Sequence, residues 1–130
     1  LDPTYSFYRV YRPGDELVIH SDREACEISC TLCFNFQYEN LDYKWPIFMD
    51  GNELILEPGD LAIYRGCDLD HWREKFIGSD TDWHVQGFFH YVDKNGPNAE
   101  FKYDKRNMVG ELTKVKTNTM FNKKYIIHTG

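Results

Sequence analysis

The feature that most constrains this chain is the stretch EISCTLCFNF at residues 27–36. Ile28, Cys30, Leu32, Phe34 and Phe36 alternate with Ser29, Thr31, Cys33 and Asn35. Successive side chains of an extended strand point to opposite faces, whereas a helix repeats every 3.6 residues. The segment therefore reads as a strand with one apolar and one small, polar face. The same pattern recurs in YSFYRVY (5–11), ELVIH (16–20), WPIFM (45–49), ELILE (53–57), LAIYRG (61–66) and WHVQGFFHYV (83–92). Turns separate these runs: Arg12-Pro13-Gly14-Asp15, Asp50-Gly51 and Pro58-Gly59-Asp60. Nothing before residue 100 has a helical period. Short strands broken by such turns predict a mainly β domain, a sandwich, jelly roll or barrel.

Beyond Lys94-Asn95-Gly96-Pro97 the pattern weakens. Residues 111–121 read as an edge strand blunted by lysines, and 123–130 as one more short strand. The division expected is a core over 1–106 and a C-terminal extension of unassigned role over 107–130.

Composition narrows the function classes. A chain of 130 residues with 42% hydrophobic content suits one domain with a real core. No apolar run reaches bilayer-spanning length, so no membrane span is expected. Residues 1–101 carry 8 Lys/Arg against 19 Asp/Glu, whereas 102–130 carry 7 against 2. An acidic body argues against nucleic acid as a partner. The four cysteines do not form a disulfide framework, and a reducing compartment is expected. Oligomeric state is not legible, and with Leu1 at its start nothing can be read of upstream targeting signals.

Two metal-site patterns compete in HSDREACEISCTLC, residues 20–33. Cys26, Cys30 and Cys33 have a spacing that suits an iron–sulfur cluster in a flexible loop. Here the spacing overlaps a strand, which sends Cys30 and Cys33 to opposite faces, so the cysteines read as packing residues. His20 and Asp22 end a strand, and residues i and i+2 of an extended chain share a face. Two histidines and a carboxylate on one side of an iron leave positions open for other ligands.

The order of elements around that pair resembles the double-stranded β-helix core of Fe(II)/2-oxoglutarate-dependent dioxygenases, particularly the prolyl-hydroxylase-like branch. The resemblance covers roughly residues 5–97 and rests on YRVYRPGDELVIHSD, on the Pro58-Gly59-Asp60 turn into an aromatic-ended strand, and on His71. It implies a jelly-roll, cupin-like core with His20, Asp22 and His71 as metal ligands. It also implies 2-oxoglutarate bound near Tyr11, with Thr31 and Cys33 in the pocket wall. The branch usually places Arg or Lys about ten residues after the distal histidine, but position 81 is Thr. Arg73 is the nearest guanidinium and the candidate for that role, ahead of Arg65, His84 and Lys44, the alternative for it being a surface ion pair with Glu74 or another acid.

The implied activity uses Fe(II), 2-oxoglutarate and O2 to hydroxylate an unactivated C–H bond of a peptide or small molecule, releasing succinate and CO2. The family's helices ahead of the first strand are missing, so residues 1–130 are expected to be part of a longer protein or to have lost flanking segments. Two alternatives stay open: a cupin metalloenzyme that does not use 2-oxoglutarate, and a non-catalytic structural or binding jelly roll. Of the other histidines, His90 is expected in the core and His84 beside the site, while His128 has no role.

Overall fold

The computed structural model describes residues 1–106 and the backbone of Tyr125–His128. The strands are β1 (Asp2–Tyr11), β2 (Leu17–His20), β3 (Ile28–Gln37), β4 (Ile47–Met49), β5 (Asn52–Leu54), β6 (Leu61–Tyr64), β7 (His71–Arg73), β8 (Trp83–Val92) and β9 (Tyr125–His128). Helix among the described residues is limited to two three-residue 3-10 turns, Glu24–Cys26 and Ala99–Phe101. The expected edge strand over 111–121 lies outside the described residues. The expected strand over 123–130 is present as β9, antiparallel to β1.

Two antiparallel sheets face one another, ordered β6-β3-β8-β1-β9 and β2-β7-β4-β5. Strands β1, β3, β6 and β8 interleave in sequence with β2, β4, β5 and β7 of the other sheet, so the chain winds repeatedly between layers. That is the jelly roll, or double-stranded β-helix. The β4–β5 hairpin turns through Asp50 and Gly51, both at positive φ (48° and 78°). A two-residue turn of that hand matches the twist of paired strands.

The interior divides lengthwise. Leu17, Ile47, Met49 and Tyr64 form an aliphatic cluster. Tyr11, Tyr38, Trp45 and Phe76 form an aromatic plug. Segment 74–78 crosses the β1–β2 turn to complete the plug: Gly14 donates its N–H to the Phe76 carbonyl and Phe76 donates to Asp15, both at 2.8 Å.

Along β3 the small, polar residues Ser29, Thr31 and Cys33 are fully buried, while Cys30 and Leu32 are half-buried and Phe34 is exposed. The polar face of this strand is the inner one. A bulge between Cys33 and Asn35 then shifts the register, so Asn35 is exposed while Phe36 packs on the plug.

Candidate metal centre

His20 closes β2, His71 opens β7, and the two are partners in register. Asp22 lies just past β2, where its backbone N–H donates to the Gly66 carbonyl at 2.8 Å. This anchor ties the loop after β2 to the segment leaving β6. Asp22 Oδ1 lies 3.3 Å from His20 Nε2 and 3.5 Å from His71 Nε2. The imidazole centroids are 4.2 Å apart.

Both rings are aimed by the same device. His20 Nδ1 lies 2.7 Å from the Val18 carbonyl, and His71 Nδ1 lies 2.9 Å from the Leu69 carbonyl. A carbonyl only accepts, so each Nδ1 carries a proton, and in the neutral ring the lone pair belongs to Nε2. Histidine ligands of metals are commonly oriented through such a bond from the other nitrogen. The second carboxylate oxygen, Asp22 Oδ2, is buried with no hydrogen-bond partner. Burial opposes ionisation of Asp22, but hydrogen bonds from His20 and His71, made when each Nε2 carries a proton as well as Nδ1, outweigh it and hold the carboxyl well below its usual range. Burial opposes charge on His71 too, and the hydrogen bond to Asp22 more than compensates, so its pKa is raised. Two imidazole nitrogens and a carboxylate, with an unsatisfied oxygen beside them, fit a divalent cation.

A cavity opens at this triad, walled by Tyr5, Phe7, Tyr11, Leu17, Tyr64, Phe88 and His90. Its lining is mainly aromatic. His90 Nδ1 bonds Ser29 Oγ at 2.8 Å, making it a hydrogen-bonded core residue as well as a wall. Burial first, then the Arg23 charge against some help from Asp22, pushes its pKa down to about 4. On the far side of Asp22, Cys26 Sγ lies 3.2 Å from the Tyr5 hydroxyl, and burial raises its thiol pKa far above the ordinary value.

Of the residues expected around a co-substrate, Tyr11 lines this cavity and Thr31, Cys33 and Arg73 do not. Arg73 follows His71 by two positions on β7 and is 2% exposed, with no ion-pair partner among the described residues. Its guanidinium stacks 4.5 Å from the Trp45 ring and 5.9 Å from that of Tyr11. Arg73 Nε and the Tyr11 hydroxyl are both buried without a partner. Thr31 and Cys33 lie behind them on β3. Burial pushes the Cys33 thiol up to about 11, so it stays protonated near neutral pH.

The cysteine triplet does not converge. Cys26 lies in a 3-10 turn, Cys30 and Cys33 face opposite sides of β3, and all four cysteines are free thiols. Sequence reasoning missed the cavity walls Tyr5 and Phe7, although both share the alternation of Tyr11 along β1. Alternation along β8 put Gln86 on one face with His84 and His90, as found, but gave no sign of its bonds to Arg73 and Thr31.

The chain is similar in shape to several solved structures. One is a cupin domain of an XRE-family transcriptional regulator from Enterobacter cloacae, at 18% identity and TM-score 0.48, covering 69% of this chain and 84% of that one. Another is the plu4264 protein from Photorhabdus luminescens, at 14% identity and TM-score 0.48, covering 78% and 72% respectively. A third is a prolyl-4-hydroxylase from Pseudomonas putida, at 18% identity and TM-score 0.48, covering 68% of this chain and 52% of that one. Each is a likeness of overall shape. No family model and no curated protein matches the chain.

Proposed function

We propose that this domain is an Fe(II)- and 2-oxoglutarate-dependent dioxygenase that hydroxylates a C–H bond of a peptide or small molecule. The observation that carries the reading is the convergence of His20 Nε2, Asp22 Oδ1 and His71 Nε2, with both Nδ1 atoms already engaged by backbone carbonyls.

The iron would be held by His20, Asp22 and His71. When bound, it supplies the oxygen-activating chemistry that couples conversion of 2-oxoglutarate to succinate and CO2 with insertion of the other oxygen atom into the substrate. The protein's own residues do the positioning. His71 and Arg73 lie on the same strand two residues apart, a rise of about 6.6 Å. A five-carbon diacid spans roughly 5 Å between its end carbons at about 1.5 Å per bond, so it can reach from the triad toward the guanidinium. The Tyr11 hydroxyl, on the cavity wall, and Arg73 Nε, outside the cavity lining, are both unpartnered and would be the donors for its far carboxylate. Burial lowers the Arg73 pKa, and the leading influences opposing it are the phenols Tyr11, Tyr38 and Tyr43 and the Cys33 thiol. A buried guanidinium in such surroundings favours an anionic ligand. Tyr5, Phe7, Leu17, Tyr64 and Phe88 keep water from the reacting atoms.

Anaerobic titration with Fe(II) and then 2-oxoglutarate tests this reading. A weak visible charge-transfer band, lost in His20→Ala, is expected, together with succinate release in air. Iron binding that His20→Ala leaves unchanged would overturn it. Mass spectrometry of products from candidate peptides and amino acids then identifies the substrate.

A further inference from the structure

Gln86 sits at the middle of β8, opposite Arg9 of β1 and Cys33 of β3, and is fully buried. Its Oε1 accepts from Arg73 Nη2 at 3.2 Å and lies 2.8 Å from His84 Nε2. Its Nε2 donates to Thr31 Oγ1 at 2.6 Å, and Thr31 donates on to the Gly87 carbonyl at 3.3 Å. A flipped amide would set its NH2 against the guanidinium, so only this orientation satisfies every group. Since Oε1 only accepts, His84 Nε2 carries the proton. His84 Nδ1 then accepts from the Tyr38 hydroxyl at 2.8 Å. The network has a single proton arrangement.

Arg73 is thus held on two sides by neutral oxygens, Gln86 Oε1 and, at 2.7 Å, the Trp45 carbonyl. Neither cancels its charge, and Nε remains without a partner. A carboxylate of the same shape at position 86 would pair with the guanidinium and remove the charge that draws an anion.

We propose that Gln86 is a positioning residue that keeps Arg73 aimed and its charge uncommitted, with His84 and Tyr38 holding the amide in turn. This rests on the reading that Arg73 seats a ligand carboxylate. It assigns the choice between anionic and neutral ligands to an amide that never touches the ligand.

The test compares wild type with Gln86→Glu and Tyr38→Phe. Each protein is loaded with Zn(II), which supports no turnover, and titrated with 2-oxoglutarate by calorimetry. Gln86→Glu is expected to weaken 2-oxoglutarate binding about tenfold or more, the scale of one charge-assisted contact. Its zinc affinity should be unchanged and its melting temperature no lower, because the new carboxylate meets a buried cation. With Fe(II), KM for 2-oxoglutarate should rise while kcat holds, a split that general loosening of the fold would not produce. Tyr38→Phe deletes one oxygen at the end of the network and should raise the same dissociation constant about twofold. Wild-type affinity in both variants overturns the inference and leaves the proposed function standing. A wild-type protein that binds zinc but no 2-oxoglutarate overturns the proposed function, and the inference with it.

Discussion

A methyl group at position 66 has nowhere to go. A β-carbon there would lie 2.6 Å from Asp22 Oδ2 and 2.8 Å from Ser29 Oγ, and would collide with the Cys26 carbonyl. Glycine is required by close approach: the segment leaving β6 presses directly on the carboxylate that faces the two histidines. Gly66→Ala should therefore displace Asp22, lowering Mn(II) or Co(II) affinity by about 10–100-fold. The crowding should also cost about 1–3 kcal/mol of stability, read by urea unfolding. Undiminished metal affinity would show that Asp22 is not a ligand in this position. In the sequence, His20 and Asp22 are legible as neighbours because strand spacing puts them on one face. His71 is not, since 48 residues separate it from Asp22 and only the resemblance joined them. The bonds from Nδ1 to the carbonyl two residues back depend on ring rotamers that no spacing encodes, and Gly66 reads as an ordinary turn residue.

Strands carry these residues as sets, and β8 carries the largest. His84, Gln86, Phe88 and His90 all face inward along it. Burial, and then the Arg73 charge, push the His84 pKa down to about 3 from an unfolded value near 6.5. Between those limits the unfolded chain holds a proton that the folded chain refuses. Stability is full above about pH 6.5 and declines as pH falls toward 3, by about 1.4 kcal/mol per pH unit for one such group. Urea unfolding at pH 6, 5 and 4 should show that slope reduced by one proton in His84→Gln. An unchanged slope would mean that His84 is protonated in the fold. The long strands were legible because ten alternating residues cannot mimic a helix. β7, three residues long, was not, because HWR is too short to show a period. For β3 the alternation gave the two faces but not which one is inside. Hydrophobicity points to Ile28 and Leu32, yet the interior at that level is lined by hydrogen-bonding groups and takes Ser29 and Thr31.

At the scale of the molecule, residues 102–106 strap the segment after β8 onto the start of β1 and the loop after β2. Tyr103 donates its N–H to the Pro3 carbonyl at 2.9 Å and Lys102 pairs with Asp2 at 3.3 Å. Asp104 binds Arg23 at 2.6 Å and Arg106 at 2.5 Å, and the Arg106 guanidinium lies 4.6 Å from the ring of Tyr5, a wall of the cavity. Asp104 has a φ of 47°, a conformation that asparagine also tolerates. Asp104→Asn consequently removes charge without straining the backbone, and should cost about 3 kcal/mol by taking away the carboxylate that Arg23 and Arg106 share. A loss below about 0.5 kcal/mol in urea unfolding would show the strap to be dispensable.

The position of β8 between β1 and β3 also sets a schedule. It is the last of the eight barrel strands to be synthesised, yet both of its neighbours must wait for it. At roughly 5–20 residues per second, Tyr11 leaves the ribosome about 4 to 14 s before Trp83. Throughout that interval β1 has no strand to pair with on either side, since its two neighbours, β8 and β9, are both still to come. Refolding of the finished chain, dominated by such distant pairings, belongs in the millisecond-to-second range typical of β barrels. His20 and Asp22 are made early and His71 late, so the third side chain of the triad arrives only shortly before the sheet can close.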